Sequence, residues 1–200
     1  MKKIISVVII LLLVVCTVSA MAEVTFNGIE FLSTDDVVIN TLVEKGFANG
    51  APTFSNEINT YLVINEDLGY QPTYVQGYQD VCFSQEVTGR GKIAGYPVKN
   101  LLLAYAYDGS YKLISVKVEL IGADYEVMLE KLTKVYGTPD VKVVEEEGIT
   151  SNIWKDGETA VLLYTESDGL NFTLIYGRTD TEDILASCLV TSDPDDISGL

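Results

Sequence analysis

Asp108-Gly109 stands between two long runs of β-branched, leucine and tyrosine residues, and no other feature narrows the fold so far. An Asp-Gly pair takes the positive φ angles that a two-residue hairpin needs, so Tyr96 to Leu120 is expected to fold back on itself as two antiparallel strands. Pairing Tyr107 with Ser110 sets Leu103 opposite Ile114, Leu101 opposite Val116, Leu102 opposite Ser115 and Ala104 opposite Leu113. One face then carries Leu101, Leu103, Tyr105, Ile114, Val116, Val118 and Leu120. The other carries Ala104, Ala106, Tyr111, Ser115, Lys117 and Glu119. A slip of one residue would set alanines against Ile114 and Lys112 and fill a core poorly.

An amphipathic helix follows directly. Asp124 can accept from the free amides of the first turn, Glu126 suits the positive end of the helix dipole, and Gly137 with Pro139 beyond it gives a stop. Tyr125, Met128, Leu129, Leu132, Val135 and Tyr136 recur at steps of three and four, which makes one apolar stripe. The expectation is a helix laid on the apolar side of the hairpin sheet.

The chain opens with Met1-Lys2-Lys3, an apolar run from Ile4 to Val15, and small residues at Ala20 and Ala22. A short basic region, an apolar core too short for a membrane span and an Ala-x-Ala site describe a secretory signal cleaved after Ala22. Cys16 invites comparison with lipid-anchored proteins, but Val15 stands where a lipoprotein peptidase takes a small side chain. Cleavage removes two lysines and no acid from a chain whose net charge is already −16. Such an acidic surface repels nucleic acid and anionic headgroups and leaves proteins or cations as partners.

Two cysteines remain after cleavage, Cys82 and Cys188. In an exported chain they can close a long loop as a disulfide, worth roughly 3–5 kcal/mol if unstrained. They can equally be two small buried hydrophobes. The chain has no histidine, which removes a Cys-His nucleophile.

Upstream, Val24 to Phe31 reads as a lead-in strand. Ser33 or Thr34 can cap a helix with Asp35 and Asp36 in its first turn, Val38, Ile39 and Leu42 on its apolar side, and Gly46 at its end. Strands are expected near Thr60–Ile64 and Tyr74–Val87, with loops at Asp67–Pro72 and Gly89-Arg90-Gly91. Further strands are expected at Val141–Glu146, Asn152–Lys155, Thr159–Tyr164 and Leu170–Tyr176, with turns at Asp156-Gly157 and Asp168-Gly169. Thr179 and Glu182 have capping-box spacing and open a short helix that ends near Leu189.

Shifting the first helix by 90 positions lays Val38, Ile39 and Leu42 on Met128, Leu129 and Leu132. Each helix is followed by a train of strands, so the expected class is α+β: two tandem α-β-β-β-type repeats forming an antiparallel sheet with helices on one face. The organisation is a signal at 1–22, a first repeat at 23–121, a second at 122–190 with a short C-terminal helix, and a loose acidic tail at 191–200.

Thr34 to Gly46, Tyr96 to Leu120, Asp124 to Pro139 and Trp154 to Tyr176 carry a pattern that resembles the tandem helix-plus-sheet architecture of the β-lactamase inhibitory protein and the small outer-membrane assembly lipoproteins. Val135-Tyr136-Gly137-Thr138-Pro139 with the tryptophan strand after it is also similar to secreted bacterial proteins. The inhibitor has a disulfide in each repeat, whereas each repeat here has one mature cysteine. The resemblance therefore implies a fold and no contact residues.

Carboxylates are the only catalytic vocabulary in quantity, and the runs at Asp35-Asp36, Glu145 to Glu147 and Asp193 to Asp196 read as a helix start, a solvated strand end and a tail. None offers the apolar pocket that lifts a general acid's pKa. No stretch has the ligand spacing of a hand-type calcium loop, so no metal or cofactor is expected. Twelve tyrosines and one tryptophan exceed what two small cores need, and tyrosine on an open sheet face is material for protein contacts. The expectation is an exported, non-enzymatic module that binds a protein partner through a bare sheet face or the hairpin tips, with Asp108, Tyr111, Trp154 and Tyr78 as contacts and an inhibitor-like role as a special case. The alternative is a carboxylate-using protein acting on cell-wall carbohydrate.

Overall fold

The computed structural model describes residues 23–50, 54, 62–65, 71–74, 77–78, 80–144, 149–165 and 171–191. The expected signal, the Asp168-Gly169 turn and residues 192–200 of the acidic tail lie outside the described residues.

The fold is α+β. In chain order come α1 (Asp35–Glu44), β1 (Leu62–Asn65), β2 (Gln71–Tyr74), β3 (Cys82–Thr88), β4 (Lys92–Ile93), β5 (Tyr96–Tyr107), β6 (Tyr111–Leu120), α2 (Tyr125–Tyr136), β7 (Val141–Val144), β8 (Thr150–Asp156), β9 (Thr159–Thr165), β10 (Phe172–Arg178) and α3 (Thr181–Thr191). One open antiparallel sheet runs in the order β3-β5-β6-β10-β9-β8-β7, with β4 pairing β5 off that path. The strands before α2 and those after it meet where β6 pairs β10. The ribbon β1–β2 stands apart from this sheet.

The β5–β6 hairpin forms where the Asp-Gly pair places it, but in a different register. Tyr107 faces Tyr111, so Ser110 belongs to the loop, and the Ser110 hydroxyl bonds Asp108 Oδ1 at 3.2 Å. Gly109 takes φ 104°, the positive φ that a three-residue loop asks of a glycine. The pairing then shifts between Ala104, which faces Ser115, and Tyr105, which faces Leu113. Ile114 is the extra residue of this bulge and goes to the face of Ala104 and Ala106. Leu103 consequently faces Val116 and Leu101 faces Val118, correcting the expected partners Ile114 and Val116.

Helix α2 is built by its local signals. The Asp124 carboxylate accepts from the Val127 amide at 3.0 Å, and Gly137 closes the other end at φ 85°. Its stripe buries Met128, Leu132 and Tyr136, while Val135 is exposed. Helix α1 buries Val38, Ile39 and Leu42, and its Thr34 side chain makes no capping hydrogen bond. Both helices lie on one sheet face, where their apolar residues join Leu101, Leu103, Tyr105, Leu113, Val116, Trp154, Val161, Leu163 and Leu174 in the main core.

The opposite face is not bare. Leu185 and Cys188 of α3 pack with Cys82, Ala104, Ala106 and Ile114, and Val63 of β1 joins them. Ile64 of β1 packs on Ile153, Ala160, Leu162 and Ile175, so β1 runs across β6 and β10. The expectation of helices on one face is corrected: α1 and α2 share a face, and α3 with the ribbon covers the other.

Three local expectations change for physical reasons. Val24–Phe31 is no strand but a tight turn, in which Asn27 and Gly28 both take positive φ and Phe26 and Ile29 exchange backbone hydrogen bonds. The expected strand Tyr74–Val87 is two, because β2 ends at Tyr74 and β3 begins at Cys82. Thr179 does not cap α3: its amide and hydroxyl both bond the Glu158 carbonyl. The helix begins at Thr181, beside an Arg178 guanidinium that bonds both Asp180 carboxylate oxygens and Glu158.

Candidate functional site

The hairpin end gathers the largest group of mutually contacting rings among the described residues, Phe54, Phe83, Tyr105, Tyr107 and Tyr111. Tyr111, on the face of α1 and α2, stacks on Phe54 with ring centroids 3.8 Å apart. Phe83 meets it edge-on at 5.3 Å and Tyr107 lies tilted at 4.8 Å. Phe54, Phe83, Tyr107 and Tyr111 are all half-buried, so the group roofs the core and still offers ring surface to water. The expected placement of Tyr111 on the face of Ala104 and Ala106 is corrected, because the three-residue loop and the bulge move it to the helix-bearing side.

Tyr105 lies under this group and is fully buried. Its hydroxyl has no hydrogen-bond partner among the described residues. Burial first, and then the negative charge of Asp35, push its pKa upward. It is a core ring carrying a polar tip, not a reactive phenol.

Asp108 marks the tip. Its carboxylate accepts from Lys112 Nζ and from the Ser110 hydroxyl, and the Lys112 bond, ahead of its charge, holds the Asp108 pKa below the usual carboxylate range. Glu119, at the other end of β6, is pushed up by partial burial but ends below its ordinary value because Lys99 and Lys117 hold its charged form. A general acid needs the opposite displacement.

The four expected contact residues are not brought together. Asp108 and Tyr111 share the hairpin end. Tyr78 sits half-buried against the Cys82–Cys188 cluster, where its hydroxyl bonds Glu182; its pKa rises, first by burial and then by the Glu182 charge. Trp154 is fully buried in the core. Its indole Nε1–H donates to the Gly137 carbonyl at 2.8 Å, which ties the end of α2 to β8, so Trp154 is corrected from a contact to a core anchor. Cys82 and Cys188 are not joined by a disulfide in this structure, and both are buried in the same cluster.

Phe83 and Phe54 are the surface aromatics that sequence reasoning passed over. Phe83 has a readable signal, since it lies beside Cys82 in a strand and faces Tyr105 across the β3–β5 pair. No group of three or more potential metal ligands occurs among the described residues. Compared with protein families, with curated proteins and with solved structures, the chain matches none of them.

Proposed function

We propose that this chain is an exported, non-enzymatic binding module that engages a protein partner through the end of the β5–β6 hairpin. The observation that carries the reading is the half-buried group of Phe54, Phe83, Tyr107 and Tyr111 beside the charged tip at Asp108. Rigid aromatic area with polar tips at an accessible edge is the material of interface anchors. Among the described residues α1 and α2 pack on one sheet face and α3 with the ribbon packs on the other, which leaves the aromatic group at the hairpin end of the first face. Binding is therefore assigned to the tip and not to a bare face.

The basic n-region, apolar core and Ala-x-Ala site of residues 1–22 support export. The meeting of the two sets of strands at β6 and β10, each set preceded by a helix on the same face, supports an origin by duplication. Among the described residues no helix is long and apolar enough to cross a membrane. Asp108 and Glu119, held charged by neighbouring lysines, are not suited to act as general acids.

The test is affinity capture with the chain from Glu23 as bait. A defined protein is expected, and Asp108→Ala or Tyr107→Ala should weaken its binding about tenfold or more, a loss of about 1.4 kcal/mol or more. The circular dichroism and unfolding midpoint of each variant are measured beside its binding, so that a lost contact is told apart from a rearranged hairpin end. A captured protein that tolerates both substitutions sinks the site.

A further inference from the structure

We propose that Cys82 and Cys188 are a disulfide pair that forms while the exported chain folds, fastening α3 over the outer end of β3 and β5. The inference rests on export and not on the hairpin partner. The two thiols stand far apart in sequence, and the fold brings both into one small apolar cluster with Val81, Ala104, Ala106 and Ile114. Cys82 opens β3 opposite Ala106. Among the described residues of α3, Leu185 and Cys188 are buried against this face and Ile184 is half-buried beside them. A bond at that junction joins the last helix to the sheet edge and closes the chain from Cys82 to Cys188 into one loop.

The chemistry places the reaction in time. Burial, and then the charge a Cys188 thiolate would carry, push the Cys82 thiol up to about 12. Cys188 also rises, by burial first and then by the charge of Asp108. Folded, both are protonated and poor nucleophiles at neutral pH. Before α3 docks they titrate as ordinary thiols, near 8.5. One of them then attacks the disulfide of a small donor such as oxidised glutathione, giving a mixed disulfide and releasing one reduced donor thiol. The other attacks that mixed disulfide, forming the Cys82–Cys188 bond and releasing the second donor thiol. Two thiols are oxidised, one donor disulfide is reduced, and the two protons end on the departing thiols.

The test refolds the chain from Glu23 out of denaturant in a glutathione buffer rich in the oxidised form. The expected product is a monomer lighter than the reduced chain by two hydrogens, blocked to alkylation after denaturation, and yielding one peptide pair that joins Cys82 to Cys188. Reducing it should lower the urea midpoint by roughly 1–3 M. Cys82→Ser and Cys188→Ser should each leave one alkylatable thiol, and reductant should not move the midpoint of either variant, whatever its own stability. Two free thiols in the refolded protein, a glutathione adduct that persists on both, or a bond found only between chains would overturn the proposal. Because the readout needs no partner, failure of hairpin capture leaves this result standing, and the reverse holds as well.

Discussion

Replacing Trp154 by phenylalanine removes an indole that is buried in the core and whose Nε1–H reaches the Gly137 carbonyl at 2.8 Å. Two losses follow. Gly137 is itself exposed, so water can reach the freed carbonyl and the lost bond costs its net worth of about 1 kcal/mol, not a full desolvation penalty. The smaller ring leaves part of its volume unfilled between β8, β9 and α2, which costs about 1–2 kcal/mol more. Trp154→Phe should therefore destabilise by about 2–3 kcal/mol, and with a urea slope near 2 kcal/mol/M the midpoint falls by roughly 1–1.5 M. Trp154 is the only tryptophan, so unfolding is followed by far-UV circular dichroism in both proteins. Wild-type fluorescence should be blue-shifted and poorly quenched by acrylamide. Incorporating benzothienylalanine, which keeps the fused ring and lacks the N–H, separates the terms and should cost only the hydrogen-bond share. A Trp154→Phe change within about 0.5 kcal/mol, the range of an ordinary surface position, would refute the argument, as would emission typical of a solvated indole.

Two further perturbations read other parts of the fold. Gly177 of β10 crosses the β6 bulge so closely that an added Cβ would lie 2.9 Å from the Ser115 Cβ and 3.0 Å from the Ile114 carbonyl oxygen; Gly177→Ala should cost about 1–3 kcal/mol in chemical unfolding, and a neutral result would mean that the bulge has room to move. Alkaline stability tests the buried phenols: burial raises the pKa of Tyr105, and of Tyr176 and Tyr136, whose hydroxyls bond each other. With native values above unfolded ones near 10, their contribution is intact below pH 10 and is lost as pH climbs from there toward the native values. Phenolate absorbance from these three should appear only with the loss of circular dichroism, and a single smooth titration of all twelve tyrosines in folded protein would contradict the burial.

What could be read from residues alone follows the range of the forces involved. Asp124, Gly137 and the heptad-like apolar steps between them act within a few residues, and α2 forms as they dictate. The hairpin was legible for the same reason. Its register was not, because the Asp108 carboxylate binds the Ser110 hydroxyl within the loop and the Lys112 ammonium on the strand beyond it, a side-chain effect that outweighs the two-residue preference. Asn27-Gly28 carries the same kind of turn signal as Asp108-Gly109 and marks a real turn. Surrounded by Val24, Phe26 and Ile29, it is hidden by the β-propensity of its neighbours. The placement of β1 and α3 depends on apolar contacts between distant parts of the chain, Val63 with Leu185 and Cys188 and Ile64 with Ile153 and Ile175, and no local pattern encodes that.

One signal for the covered second face was nevertheless present. Val161-Leu162-Leu163 in β9 and Leu174-Ile175-Tyr176 in β10 are unbroken apolar runs, and all six residues are buried. A strand with one wet side alternates, whereas a strand covered on both sides reads as a continuous apolar stretch. In β8, Ser151, Asn152, Ile153 and Trp154 are buried in succession, so parity cannot point Trp154 outward. The polar members of that strand are accommodated by partners, as when Asn152 donates to the Tyr125 hydroxyl. Two-sided burial then decides where recognition can occur. With both faces occupied, the surfaces left to a partner are the sheet edges and the loop ends. The β5–β6 end is the one that combines half-buried aromatic rings with a charged tip, and the negative charge of Asp108 reaches as far as Cys188 on α3. The hairpin and the last helix therefore meet at one end of the molecule. A bond that fastens α3 there would also stiffen the ground on which the hairpin stands, so the oxidised chain should present Asp108 and Tyr107 in a narrower range of positions than the reduced one and bind a partner at this tip with the smaller ordering cost.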